Sequence, residues 1–243
     1  MTAPAFTVIA HRGASSYAPE NTLAAFDLAI EMGAHHIELD VHATGDGAVV
    51  VIHDDSVDRT TDGSGLVATQ SLAALRKLDA GSWFGPKFAG ERIPTLDEVL
   101  SRYIGRAHVH VEIKGRSPNL SKRTADLIRE HGMAGQATIT SFQSVRLEEI
   151  RAHAPELPTG WLVPEASDAV ITRARAMGLR QICPDAKTVT PALVHRLHAE
   201  GFVVRAWGVA TPELMEQVVL AGADGMTVNF PDRLLAYLRR RDG

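Results

Sequence analysis

Short apolar runs alternate with helix-length amphipathic segments from one end of this chain to the other. The apolar runs read as strands at Val8–His11, Ile37–Val41, Val109–Ile113, Thr138–Ser141, Gly160–Val163, Gln181–Pro184, Val203–Trp207 and Gly225–Val228. Between them, the period changes to that of helices near Thr22–Met32, Ser121–His131, Ser144–His153, Asp168–Met177, Pro191–Glu200, Pro212–Ala221 and Asp232–Arg240. Asn21, Thr190 and Thr211 stand where an N-cap is wanted, two of them followed by a proline at the first helical position. Gly33, Gly132, Gly178, Gly201 and Gly222 stand where helices end in the left-handed conformation. Repeated strand–helix units demand a parallel sheet, and about eight of them predict closure into an α/β, (β/α)8 TIM-type barrel. An open doubly wound sheet is the structural alternative.

The interval from about 44 to 103 breaks the rhythm. It holds an extra strand, Ala48–Ile52, a Gly- and Asp-rich loop, and short helices near Leu72–Leu78 and Leu96–Tyr103. With no core of its own expected there, the interval reads as an insertion after the second strand, and residues 1–243 as one barrel domain. Loops above the C-terminal face of such barrels carry active sites. The insertion is therefore expected to act as a lid, with Trp83 and Phe84 between Gly81 and Gly85 either as its apolar lip or as a satellite core contact.

Composition narrows the functional classes. Hydrophobic residues make up 45% and charged residues 22% of the 243, ample for a large core. A net charge of -4 argues against nucleic acid as the main partner, because phosphate backbones select basic faces. No run of about 18 apolar residues predicts a membrane span. The N-terminal MTAPAFTVIAHRG lacks the basic and apolar regions of a signal peptide, so a cytoplasmic location is expected. Arg239, Arg240 and Arg241 read as the basic last turn of a helix. The single cysteine, Cys183, sits among apolar residues and reads as a buried small side chain rather than a nucleophile.

The chemistry lies in the charged residues at strand ends. Glu38 and Asp40 share one face of their strand, because side chains alternate with period two. The TGDG turn at 44–47 returns the chain antiparallel, and pairing Ala43 with Ala48 sets His53 opposite Glu38. The strand HVHVEIK ends with Glu112 and Lys114 on one face. In a barrel these ends converge, so Glu38, Asp40 and Glu112 gather at the mouth. Two readings stay open on spacing alone. The carboxylates hold a hard divalent ion, Mg²⁺ or Ca²⁺, or they form ion pairs with Arg12, Lys114 and neighbours. His11 at the tip of the first strand and His53 supply two groups titrating near neutrality, as general acid–base hydrolysis requires. Arg12 and Lys114 read as phosphate-binding cations. The other histidines, among them His36, His42, His108 and His110, read as surface or supporting residues.

At these positions the sequence resembles the glycerophosphodiester phosphodiesterase family. The motifs are HRG at 11–13, PENT at 19–22, ELDV at 38–41, TGDG, VIHD ending at Asp54, DRTTDGSG at 58–65, IPTLDEVL at 93–100 and EIK at 112–114. Weaker matches follow at Ser141–Phe142, in RAW at 205–207 and in ADGMTVNFPD at 223–232. The resemblance implies hydrolysis of glycerophosphodiesters to glycerol 3-phosphate and an alcohol. It implies Glu38, Asp40 and Glu112 as metal ligands, His11 and His53 as the acid–base pair, and Arg12, Lys114 and Trp207 as substrate contacts. Asn21 falls in PENT, where helix capping competes with ligand contact. The chain departs from the family after its seventh strand, with Trp-Gly-Val-Ala at 207–210 in place of Trp-Thr-Val-Asn. It departs again after the eighth, with Val228-Asn229 in place of Thr-Asp. Those departures bear on the leaving-alcohol pocket. A metal-dependent barrel aldolase and a catalytically silent phosphate-binding barrel are the competing classes. The first does not require two histidines flanking a phosphate, and the second does not need the intact set of histidines and carboxylates.

Overall fold

The computed structural model describes residues 6–242. Residues 1–5, part of the stretch in which no leader is read, lie outside it. The strands are β1 (Thr7–His11), β2 (His36–Ala43), β3 (Val49–Val51), β4 (His108–Ile113), β5 (Ala137–Ser141), β6 (Thr159–Val163), β7 (Gln181–Pro184), β8 (Val203–Val209) and β9 (Gly225–Val228). The helices are α1 (Leu23–Glu31), α2 (Leu72–Leu75), α3 (Leu96–Tyr103), α4 (Leu120–Glu130), α5 (Ser144–His153), α6 (Asp168–Ala176), α7 (Pro191–Ala199), α8 (Pro212–Leu220) and α9 (Pro231–Asp242). All strands but β3 run parallel, in the order β1-β9-β8-β7-β6-β5-β4-β2, and β1 pairs with β2 to close the ring. That closing pair rules out the open sheet. β3 lies antiparallel on the outer edge of β2.

Helix boundaries follow local chemistry. The hydroxyls of Thr190 and Thr211 accept from the amides of Leu193 and Leu214, three residues on, as expected of N-caps. At α1 the cap is Thr22 rather than Asn21: Thr22 Oγ1 accepts from Ala25 N, and Asn21 sits at φ 57°, outside the helix. The five helix-ending glycines all adopt positive φ. Arg239, Arg240 and Arg241 form the last turn of α9. Among the described residues no helix is long and apolar enough to cross a membrane.

The outward faces of the barrel strands bury Ile37, Leu39, Val41, Val109, Val111, Ile139 and Ile182 against the helix ring. At about 25 cal/mol per Å², such burial is the dominant force holding the ring to the barrel. The insertion carries a satellite of its own, unexpected from sequence, built from Val50, Ile52, Val57, Val67, Leu75, Ala80 and Ile93.

The hairpin register differs from expectation by one residue. Ala43 pairs with Val49 and Val41 with Val51, because Thr44 closes the turn on Ala48, its N–H donating to the Ala48 carbonyl and its hydroxyl accepting from the Ala48 amide. His53 therefore does not face Glu38 through a ladder. Ile52 N still reaches Asp40 O, but the chain then leaves the sheet and turns the His53 side chain to the barrel mouth.

Candidate active site

The inward strand positions converge where the sequence placed them. Parallel register aligns His11 with Glu38 and Asp40 with Glu112. His11, Arg12, Glu38, His53, Glu112, Lys114 and Trp207 line one cavity of about 360 Å³ in the barrel mouth, and Asp40 lies buried behind Arg12 and Lys114. Ligand oxygens of Glu38, Asp40 and Glu112 approach within 4.8 Å of one another.

The HRG segment turns sharply to make this possible. Arg12 adopts φ 55°, a strained conformation for a residue with a side chain, and thereby aims its backbone N–H at Glu38 Oε2, 3.0 Å away. Gly13 follows at φ 82°, and a Cβ there would lie 2.5 Å from the Ala25 carbonyl carbon. Only glycine fits between this turn and α1.

The electrostatics are those of an under-neutralised anionic cluster. Arg12 Nε is 3.3 Å from Asp40 Oδ2, and Lys114 Nζ is 3.2 Å from Glu112 Oε1. The ion-pair reading is thus partly realised. It is also insufficient: Asp40 Oδ1 is buried without a hydrogen bond, its nearest ammonium 3.9 Å away. Burial, then the neighbouring charges of Asp40 and Glu112, raise the pKa of Glu38 well above the carboxylate range. Burial and then Asp40 push Glu112 up to about 7. An orphaned buried oxygen within a set of oxygen-only donors fits a hard divalent cation.

Each histidine is fixed by a partner on Nδ1. His11 Nδ1 donates to Asn229 Oδ1 at 2.7 Å, and His53 Nδ1 donates to Asp54 Oδ1 at 2.6 Å. Both rings therefore keep Nε2 free, and His11 Nε2 stands 4.0 Å from Glu38 Oε2. Burial and then the Arg12 charge lower the His11 pKa, although the side chain keeps 32% of its surface open to the cavity, which tempers the shift. Asp54 is held well below the usual carboxylate range, chiefly by Arg59, which binds both its oxygens. The same guanidinium grips Glu20, and Glu20 Oε1 accepts from Arg12 Nη1 at 2.9 Å. A continuous chain of hydrogen bonds and ion pairs thus joins His53 to the carboxylate cluster.

Some expected placements change. Trp83 and Phe84 do not line the cavity, and among the described residues the insertion contributes only His53 to it. Trp83 Nε1 donates to Ala80 O, and the pair packs with Phe88 in a local aromatic cluster. The aromatic rim is instead Phe142 and Trp207, edge to face at 4.9 Å. Cys183 is buried, and burial pushes its thiol up to about 12, so it stays protonated. His36, His108 and His110 are not on the outer surface but inside the barrel, His110 lining the cavity floor. Asn21, Glu20, Asp54, Arg59, Phe142 and Asn229 had no assigned site role. The first four lie in or beside the PENT, VIHD and DRTTDGSG motifs, where the signal stood.

The chain is similar to known proteins over nearly its whole length. The model of the glycerophosphoryl diester phosphodiesterase family matches residues 11–233. A glycerophosphodiester phosphodiesterase of Caldanaerobacter subterraneus subsp. tengcongensis is 40% identical over 238 residues, covering 96% of this chain and 98% of that protein. One from Bacillus subtilis is 33% identical over 244 residues, covering 92% and 83%. A phosphodiesterase of Oleispira antarctica, solved in complex with its product sn-glycerol-3-phosphate, superposes with a TM-score of 0.89 at 31% identity, covering 96% of each chain.

Proposed function

The chain belongs to the glycerophosphoryl diester phosphodiesterase family, and on that premise we propose that it cleaves glycerophosphodiesters to glycerol 3-phosphate and an alcohol by metal-dependent, two-histidine acid–base catalysis. The observation that carries this reading is a buried carboxylate trio with an unpartnered Asp40 oxygen, flanked by two imidazoles whose free nitrogen is Nε2.

Glu38, Asp40 and Glu112 would hold a divalent ion, Mg²⁺ or Ca²⁺ by the chemistry of the donors. When bound, the ion supplies positive charge to the phosphoryl oxygens. Arg12 and Lys114, already at the carboxylates, reach the same oxygens, and charge developing there is stabilised by groups fixed before the reaction. One histidine Nε2 takes a proton from the attacking oxygen, that of water or of the substrate's neighbouring glycerol hydroxyl. The other Nε2 protonates the departing alcohol. Asn229 and Asp54 hold the two tautomers that make this transfer possible. Trp207, anchored by Nε1 on the Val163 carbonyl, packs on the carbon skeleton of the substrate at the rim.

Turnover of glycerophosphocholine by protein dialysed against EDTA tests the proposal. Activity should vanish and return with Mg²⁺ or Ca²⁺. Full turnover in the chelated protein would overturn it.

A further inference from the structure

Beneath the catalytic mouth, the barrel interior holds a second group of metal-binding side chains with different chemistry. His36 opens β2, His108 opens β4, and the two are direct register partners. His110, two residues along β4, points to the same interior face and is 2% exposed. Ligand nitrogens of the three rings lie within 4.8 Å of one another. His36 Nδ1 and His110 Nε2 share a hydrogen bond at 3.1 Å, one ring donating to the other, which a bound metal would replace. A tetrahedral zinc with bonds of about 2.0–2.1 Å needs ligand nitrogens separated by about 3.3–3.4 Å, so this pair already spans the edge of such a site. His108 Nε2 meets Thr138 Oγ1 at 2.8 Å. With the hydroxyl accepting Nε2–H, the Nδ1 lone pair of His108 is left for a metal, a ligand orientation that hydrogen-bonded imidazoles commonly adopt.

We propose that His36, His108 and His110 form a second metal site, selective for borderline ions such as Zn²⁺, with ligands distinct from the carboxylate set above it and meeting that cavity only at His110. Neutral imidazole is the preferred partner of zinc, copper and nickel, whereas the oxygen-only set of Glu38, Asp40 and Glu112 suits hard ions. Along β4, His108 precedes Glu112 by four residues, or about 13 Å of strand, so the outer end of the trio is well removed from the mouth. Arg205 stands near all three rings. It opposes any cation. The three nitrogen–metal bonds must outweigh it, and Arg205→Met should tighten zinc binding. Two ligands from β2 and β4 at the start of the strands would brace the barrel at the end opposite its active site.

The test uses the metal-stripped, full-length protein carrying Glu38→Gln, Asp40→Asn and Glu112→Gln, which removes the carboxylate site and makes the outcome independent of the proposed catalysis. Equilibrium dialysis with Zn²⁺ should show one bound equivalent. Adding His108→Ala or His36→Gln should weaken that uptake at least tenfold, since losing even a group that merely orients a ligand costs about 10–100-fold. Co²⁺ should give the intense visible bands of a low-coordinate imidazole site, and these should disappear with the same substitutions. Should His108→Ala fail to fold, His36→Gln, the smaller change in size, decides the matter. Absence of zinc uptake by the carboxylate-free protein, or uptake that survives both histidine substitutions, overturns the proposal.

Discussion

Asn21 grips Asp40 from two sides: its Nδ2 donates to Asp40 Oδ2 at 2.9 Å, and its Oδ1 accepts from the Asp40 backbone N–H at 3.3 Å. The contact needs Asn21 in the left-handed conformation, which asparagine tolerates better than most side chains. It leaves Asp40 Oδ1 as the oxygen without a hydrogen bond. Replacing Asn21 with alanine should raise the metal concentration for half-maximal activity by roughly 10–100-fold, the usual effect of losing a group that orients a metal ligand. A metal titration of activity checks this, and an unchanged midpoint would show that Asp40 needs no such support.

The raised carboxylates give the metal-free protein an unusual pH dependence. A carboxyl whose pKa is higher folded than unfolded stabilises the fold while protonated, and that stability is lost as pH rises through the folded value. Glu112 moves from 4.5 to about 7, and Glu38 shifts in the same direction. The melting temperature of chelated protein should therefore fall as pH rises from about 4.5 to 7, against the acid-labile behaviour of most carboxylates. Saturating Mg²⁺ or Ca²⁺ should cancel the fall, because the ion favours the ionised form. Thermal melts across that range, with and without metal, read the effect directly. Identical slopes in both series would mean that the ion does not bind at these carboxylates.

The Phe142–Trp207 rim should act on binding more than on chemistry. The rings pack on each other, Trp207 Nε1 donates to the Val163 carbonyl, and Lys114 Nζ lies 5.7 Å over Phe142. An aromatic contact of about 1 kcal/mol beyond its area corresponds to several-fold in affinity. Phe142→Ala and Trp207→Ala should each raise KM for glycerophosphocholine by roughly three- to tenfold, leaving kcat within about a factor of three. Steady-state kinetics decide it. A fall in kcat at constant KM would place the ring in the chemical step.

How much of this could be read from the chain depends on the range of each interaction. The strands were legible because each is a short apolar run between turn signals, and two of them, Gln181–Pro184 and Gly225–Val228, have the boundaries expected. Alternation along β2, and along β4 into the residue after it, put Glu38 with Asp40 and Glu112 with Lys114 on one face, and barrel closure makes that face the inner one. The β2–β3 register was not legible, because one residue of turn length, set by the Thr44 hydroxyl, decides it. His53 reaches the mouth even so, since the chain leaves the ladder after Ile52. Capping chemistry suits Asn21 and Thr22 alike, and only the packed structure shows Thr22 as the cap and Asn21 turned to Asp40. His11 and Asn229 are separated by 218 residues, and Arg59 meets Glu20 across 39. Such contacts depend on barrel closure and on an irregular loop, for which local pattern carries no signal.

The central claim is that His11 and His53 move the protons, and the kcat of His11→Ala and His53→Ala on glycerophosphocholine at saturating metal tests it most directly. Losing a general acid or base costs about 10²–10⁴-fold, and each variant should fall by that factor. Binding of glycerol 3-phosphate should persist in both, since Glu38, Asp40, Glu112, Arg12 and Lys114 remain. Either variant retaining more than about a tenth of the wild-type kcat, below the usual range for such a group, would contradict the account.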